Sequence, residues 1–545
     1  MSLLGIEQTL AWIIYRIYSV LWILFSKQPK KIKFVNIKRI PMNTQRPNII
    51  IITTDQQRTD SLSCYGSTFT ATPHLDKFAS EGVCFERAYC ANPVCTPARA
   101  SIFSGRYVSR HGAWNVGMNV PEAEMMLSHR LGEVGYRTHY IGKAHFQPFG
   151  ASPEQSIETR SDTTRYPDFQ GPYYGFETVE LALGHATYGI AGHYGEWVRS
   201  QVSEETFNGY SKATRLGERG FGGEAYDWDI PLKYHNSVWT ADRTIDFLSN
   251  RDTTQPFLLA VGFQDPHHPH CVPTEFEGRV DPAQVPLPDF VEGELADKPL
   301  HFMEARCGQL EKSEIRGTYA IAGQGGGADF SKVSEDDARL GRAYYYNMVK
   351  IIDQEMGRIL ECLDTCGLAE NTLVLFTTDH GELLGDHGLW MKGPFHYEQL
   401  VRVPTLLRFP AAIPAGQRTQ ALFSHVDIVP TVLSAIGLPM PADTDGVDAM
   451  PMLTGETVSA RDAVLVECVD DPRGLRLKTI VTDTRKLTWY CGHAYGELYD
   501  LENDPGERQN LWDNAIYADD KASLMSHILE TMEPLEKRVE RLSYA

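Results

Sequence analysis

Two polar pairs, Asp55-Gln56 and Asp379-His380, each follow a short apolar run and together offer oxygen donors and one imidazole. Oxygen-rich donor sets suit hard divalent cations such as Ca2+, and the added nitrogen moves the preference toward Mn2+. Either pair alone is equally at home as a turn or capping carboxylate at a strand end. Their recurrence at separate strand ends points to convergence on one site. Between them lies Asn92-Pro-Val-Cys-Thr-Pro-Ala-Arg-Ala-Ser-Ile-Phe-Ser-Gly-Arg106, in which Cys95 and Arg99 stand one helical turn apart. A free cysteine is more often a packing residue than a nucleophile. Basic groups complete the set: Lys143 and His145 follow a third apolar run, His267 a fourth, and Lys392 lies shortly beyond Asp379.

The apolar runs must do the positioning. Asn48–Thr54, Arg137–Gly142, Phe257–Phe263, Thr372–Thr378 and Pro404–Phe409 each have the length and β-branched content of a buried parallel strand. Helical periodicity lies between them, most clearly over Ala343–Leu363, where Met348, Ile352, Met356, Ile359 and Leu363 share a face, and over Trp239–Leu248. This alternation predicts an α/β fold, a large mostly parallel sheet sandwiched by helices, spanning residues 46–452. Ligands bind such sheets at the carboxyl ends of the strands, where the polar pairs and basic residues fall. From about Leu453 short alternating runs (Ala463–Val469, Leu477–Thr482, Lys486–Trp489) and a final helix from about Lys521 predict a smaller C-terminal antiparallel α+β subdomain, residues 453–545. The stretches 160–228 and 271–336 read as long insertions that shape the pocket.

A formal net charge of -20 argues against nucleic acid as a partner and requires any anionic substrate to meet local positive charge. Ten cysteines in 545 residues are too few for a disulfide framework. Residues 1–45 form a distinct hydrophobic segment. Leu10–Phe25 is apolar, with Trp12 and Trp22 near its ends, but Arg16 sits at its centre and the run is shorter than the about 20 residues of a spanning helix. Lys27, Lys30, Lys31 and Lys33 follow it, the reverse of a cleavable signal. The reading is a membrane-associating helix over residues 10–25, with an uncleaved anchor and a helix packed on the protein as alternatives. A spanning segment with that basic flank would leave the catalytic part facing the cytoplasm; the expected location is cytoplasmic or membrane-associated on that side, with periplasmic as the alternative.

Five blocks in order resemble the motifs of formylglycine-dependent sulfatases of the alkaline phosphatase superfamily, near the arylsulfatase and phosphonate monoester hydrolase branch. They are Arg46-Pro-Asn-Ile-Ile-Ile-Ile-Thr-Thr-Asp-Gln-Gln-Arg58, the Cys95 block, Tyr140-Ile-Gly-Lys-Ala-His145, Asp265-Pro-His-His-Pro269 and Thr378-Asp-His-Gly-Glu-Leu-Leu-Gly-Asp-His-Gly-Leu-Trp-Met-Lys392. The likeness runs from about residue 46 to about 512. It implies hydrolysis of a small anionic sulfate ester by Cys95 after its oxidation to 3-oxoalanine (formylglycine) by a formylglycine-generating enzyme. One divalent metal, Ca2+ first and Mn2+ second, would be held by Asp55, Gln56, Cys95, Asp379 and His380. Arg99 would hold the hydrated aldehyde and the carboxylates; Lys143, Lys392 and His267 would grip the sulfate and bridging oxygens; Asn115 would contact substrate. In the implied cycle one hydroxyl of the hydrate attacks sulfur and the alcohol leaves with a proton from His267 or a lysine. The second hydroxyl then loses its proton to His145, and sulfate departs as the aldehyde re-forms.

The Pro-His-x-Pro frame favours His267 over His268 as the site residue, and Asp386 with His387 reads as support for the loop before Lys392. Two rival functions stand beside the first. Phosphonate monoester or phosphodiester hydrolases of the same superfamily tend to carry hydroxyl side chains where this chain has Lys143 and His145, and the extra basic groups suit sulfate better. The other rival is a catalytically silent binding protein on the sulfatase fold. An oligomer is compatible with the sequence, which does not name the alcohol portion of the substrate.

Overall fold

Ile49, Ile50, Ile51 and Ile52 are all fully buried, as a β-branched run must be when both faces of its strand are covered. Alternate side chains leave opposite faces of the pleat. Accordingly Ile49 and Ile51 join a core with Phe103, while Ile50 and Ile52 join another with Ile352, Met356, Ile359 and Leu363. Each such burial contributes about 1.5–3 kcal/mol. The computed structural model describes residues 46–543 except 161–164, 167, 213–215, 221–223, 253, 309–328, 472–473 and 534. The apolar run Leu10–Phe25 lies outside the described residues. Among the described residues no helix is long and apolar enough to cross a membrane.

The central strand Asn48–Thr54 pairs in parallel with Thr372–Thr378 on one side and Phe257–Gly262 on the other. Arg137–Gly142 and then Thr178–Leu183 continue the parallel sheet to one edge. On the other flank come Thr405–Arg408, Val83–Phe85 and Gln417–Thr419, completing eight strands. Four of the five anticipated strands are thus parallel neighbours. The fifth, Thr405–Arg408, is a correction, because it runs antiparallel to Thr372–Thr378. A parallel return needs a crossover, usually a helix. The 379–404 connection holds only the turn Asp386–Gly388 and the short helix Glu398–Val401, so the chain doubles back. The 160–228 stretch is also more than an insertion, since Thr178–Leu183 supplies an edge strand of the main sheet.

The helix Glu335–Thr365 is longer than its apolar stripe suggested. Ser334 caps it, its Oγ accepting from the Asp337 amide at 3.1 Å, and Glu335, Asp336 and Asp337 meet the positive end of the helix dipole. In the C-terminal part Val464–Asp470, Leu475–Val481, Arg485–Tyr490 and Gly496–Asp500 form a separate antiparallel sheet of four strands. The helix Ala518–Thr531 packs Leu524 and Ile528 on Ile480, Leu487 and Leu498.

Burial pushes His111, His270 and His396 down to about 3 from an ordinary value near 6.5. A depressed base is neutral in the fold, whereas the unfolded chain binds its proton below about pH 6.5. Stability is therefore full above that pH and is lost as pH falls from there toward 3, by on the order of 2 kcal/mol per histidine at pH 5. The urea midpoint should fall between pH 7.5 and pH 5. A midpoint that stays level would contradict this burial.

Candidate active site

Thr54 and Thr378 are register partners on adjacent strands, so the residues that follow them, Asp55 and Asp379, leave the same end of the sheet side by side. Gln56 takes a left-handed backbone (φ 63°), and its amide donates to Asp379 Oδ1 at 3.0 Å. Its main chain is further pinned by Tyr345, whose hydroxyl donates to the Gln56 carbonyl at 2.9 Å and accepts from the Arg58 amide at 2.7 Å. Cys95 opens the helix Cys95–Ser104 and is 1% exposed. Its Sγ lies 3.7 Å from Asp55 Oδ1, 3.3 Å from His380 Nε2 and 2.9 Å from Lys392 Nζ.

Arg99, one turn further along that helix, is wholly buried and fans across the two strand ends. Its Nε donates to Asp379 Oδ2 at 2.9 Å, Nη2 to Asp55 Oδ2 at 3.1 Å and Nη1 to the Lys143 carbonyl at 2.8 Å. Lys143 follows the strand Arg137–Gly142, and its ammonium pairs with Asp55 and reaches His185 Nε2 at 2.5 Å. Lys392 Nζ lies 3.0 Å from His267 Nε2. Arg99, Lys143 and Lys392 thus outnumber Asp55 and Asp379, giving local positive charge inside a molecule of net charge -20.

Burial alone would raise Asp55, but Lys143, Arg99 and Lys392 hold it well below the usual carboxylate range. Burial, aided by Asp55, pushes the Cys95 thiol up to about 11 despite the two lysines. Reactive cysteines are shifted the other way. Burial lowers His380 to about 4, so its ring is neutral. Its Nδ1 hydrogen-bonds the Gly381 carbonyl at 2.9 Å, which places the proton there and leaves the Nε2 lone pair facing Cys95.

The donor set fits a divalent cation. Ligand atoms of Asp55, Cys95, Asp379 and His380 lie within 4.8 Å of one another, all buried. Among the described residues Gln56 Oε1 is buried with no hydrogen-bond partner, while its Nε2 is held by Glu382 and by His268 Nδ1 at 3.3 Å. Leaving a buried amide oxygen bare costs about 1–3 kcal/mol, which a cation would relieve.

His145 also has a left-handed backbone (φ 54°). The Glu158 carboxylate fixes it, accepting from the amides of His145 (2.8 Å), Phe146 (2.7 Å) and Gln147 (3.1 Å). The ring stacks on Phe149 at 4.1 Å, and among the described residues neither of its buried nitrogens has a partner.

All the expected residues except Asn115 come together. Asn115 lies apart: its Nδ2 donates to the Val469 carbonyl at 3.1 Å and its Oδ1 accepts from the Val116 amide, tying it to the C-terminal sheet. No hydrogen bond joins it to the cluster among the described residues. His268 reaches Gln56, so both histidines of the Pro-His-His-Pro block belong to the site. Asp386 binds Arg58 at 2.7 Å and Arg342 at 3.0 Å, and His387 stacks on Tyr397, consistent with loop support. Sequence reasoning missed His185, Glu158 and Glu382. His185 comes just after the strand Thr178–Leu183, the same kind of position as Lys143, and Glu382 lies inside the Asp379 block.

The sequence model of the sulfatase family matches residues 47–438, a span that holds the whole cluster. The chain belongs to the sulfatase family. That places it among the sulfuric ester hydrolases of the alkaline phosphatase superfamily. A second match, to the C-terminal region of N-sulphoglucosamine sulphohydrolase, covers residues 385–534. This sulfatase is 27% identical over 518 residues to an arylsulfatase of Clostridium perfringens, covering 90% of this chain and 95% of that one. It is 26% identical over 518 residues to an N-acetylglucosamine-6-O-sulfatase of Bacteroides thetaiotaomicron, covering 90% and 86%. Among solved structures, the phosphonate monoester hydrolase of Agrobacterium radiobacter superposes with a TM-score of 0.74 at 26% identity, over 89% of this chain and 95% of that one.

Proposed function

We propose that this sulfatase hydrolyses sulfate monoesters at Cys95 after its conversion to formylglycine, with one divalent cation, Ca2+ before Mn2+, held by Asp55, Gln56, Asp379 and His380. The supporting observation is the position of Cys95 Sγ within the Asp55, Asp379 and His380 donor set, 2.9 Å from Lys392 Nζ and 3.3 Å from His380 Nε2, two atoms that themselves lie 3.3 Å apart. When bound, the cation would neutralise charge on the ester's non-bridging oxygens and on the nucleophile.

The chain's own residues supply the rest. Arg99 keeps the two carboxylates apart and oriented. Lys143 and Lys392 offer fixed donors to the sulfate oxygens. His267 carries its proton on Nδ1 against the His268 carbonyl, so its Nε2 accepts from Lys392 and aims that ammonium, which supplies the proton to the leaving alcohol. His145, with both ring nitrogens unpartnered among the described residues, is free to take a proton from the nucleophilic side. Burial of the whole set excludes bulk water, which strengthens each of these interactions.

The likeness to a phosphonate monoester hydrolase keeps a second reading open. Lys143 and His145 favour the first, because a sulfate ester presents three non-bridging oxygens to such donors where a phosphonate monoester, also a monoanion, presents two. Protein from its native host should be assayed with an aryl sulfate and an aryl phosphonate monoester. The expected result is a kcat/KM at least ~10-fold higher for the sulfate, abolished by EDTA and restored by Ca2+ or Mn2+. The reverse order would establish the phosphonate reading. Absence of both activities, with Cys95 still a thiol, would establish a silent binding protein.

A further inference from the structure

Lys143 is fully buried, and its ammonium is bracketed by the Asp55 carboxylate and by His185 Nε2 at 2.5 Å. An ammonium has donors only, so Nε2 must accept and His185 must be a neutral ring carrying its proton on Nδ1. The same ring lies flat on His267, centroids 3.8 Å apart and planes 12° off parallel. The far face of His267 carries His268 at 4.1 Å. His185 therefore touches both Lys143, assigned above to the sulfate, and His267, assigned above to aim Lys392 at the leaving alcohol.

The backbone that presents it is built for the purpose. His185, itself extended, stands between Gly184 (φ 81°) and Ala186 (φ 42°), just ahead of the single helical turn Ala186–Tyr188. A side chain at Gly184 would collide with the Gly189 carbonyl at 2.5 Å, so the turn closes only around a glycine. Gln264 Nε2 donates to the Gly184 carbonyl at 2.5 Å. Gln264 directly precedes the Asp265-Pro-His-His-Pro269 block. One loop therefore anchors the turn bearing His185 and also supplies the ring on which it rests.

We propose that His185, from a segment outside every sulfatase motif in the chain, is a positioning residue of the active site. It fixes the Lys143 ammonium by accepting its hydrogen bond and fixes the His267 ring by stacking on it. The role rests on the function proposed above. Losing the acceptor would leave Lys143 held by Asp55 alone and free to swing about that contact, and losing the stack would free His267 to turn away from Lys392.

Three variants of the native-host enzyme separate these contacts. His185→Phe keeps a flat ring without an acceptor, His185→Gln keeps an acceptor without the stack, and His185→Ala removes both. With an aryl sulfate, H185F should raise KM and the inhibition constant of inorganic sulfate about 10-fold. H185Q should restore KM toward wild type but lower kcat about 10-fold and shift the pH profile of kcat/KM, because His267 is no longer held. H185A should show both defects. Constants within twofold of wild type in all three variants, with an unchanged pH profile, would overturn the proposal.

A turnover-free readout keeps this distinct from failure of the sulfatase reading. Trace acetylation of Lys143, read by mass spectrometry, should change at least ~3-fold between wild type and H185F. An unchanged rate would overturn the proposal even in an enzyme that hydrolyses nothing. An inactive wild type whose Lys143 responds would overturn only the function.

Discussion

Replacing Cys95 with alanine is expected to lower kcat/KM for an aryl sulfate by at least ~10³-fold, because the covalent route has no substitute in the site. The fold should tolerate the change. Cys95 is small and sits at the first position of its helix, so losing the sulfur costs only about 1 kcal/mol and shifts the melting temperature by a few degrees. Cys95→Ser is the sharper comparison. A serine hydroxyl can attack once, but it lacks the second oxygen that would expel the sulfate by C–O cleavage, so steady turnover should stay near background. Wild-type turnover by the serine variant would sink the formylglycine assignment. So would an Ala88–Arg99 peptide from the native host that has the unmodified mass and reacts with thiol alkylating reagents. The raised thiol pKa of Cys95 agrees with a residue whose reactivity does not come from a thiolate.

Arg99→Leu is expected to destabilise the metal-free protein by about 3–5 kcal/mol, the cost of stripping one partner from a buried charge network. Asp55 and Asp379 are both fully buried, and among the described residues Arg99 is the one side chain that donates to each of them. Lys143 would still compensate Asp55, whereas Asp379 would lose its ion pair with an arginine at 2.9 Å. A divalent cation bridging both carboxylates would replace much of that compensation. The denaturant midpoint of the variant should therefore rise more on adding Ca2+ than that of wild type. Arg99→Lys keeps the charge but loses the fork that spans two strand ends, and should fall between. Equal midpoints for R99L and wild type in EDTA would show that the arginine is not a structural clamp.

The central strands were legible because each is a run of β-branched residues bounded by polar ones, and their carboxyl ends carried the polar pairs. The direction of Thr405–Arg408 was not, since direction depends on what connects a strand to its partner and not on its own composition. Val83–Phe85 and Gln417–Thr419 have three residues each, too few to display an alternation. The site followed the same division. Asp55, Lys143 and Asp379 directly follow strands that the pattern located and Cys95 was marked by its motif, whereas His185 is placed by a glycine turn inside a stretch that read as an insertion. Asn115 was offered by the resemblance alone, and its amide donates to the Val469 carbonyl of the C-terminal sheet.

Two of the three partners of Cys95 lie at very different distances along the chain: Asp55 is 40 residues before it and His380 is 285 residues after it. A growing polypeptide carries the thiol long before the strand Thr372–Thr378 exists to close over it. At about 5–20 residues per second, that gap lasts about 15–60 s. The conversion proposed for Cys95 has that interval in which the residue is still part of an open peptide, and it ends once the sheet seals the site. The fraction of molecules that become active is then a contest between translation and oxidation, and slowing synthesis should raise it.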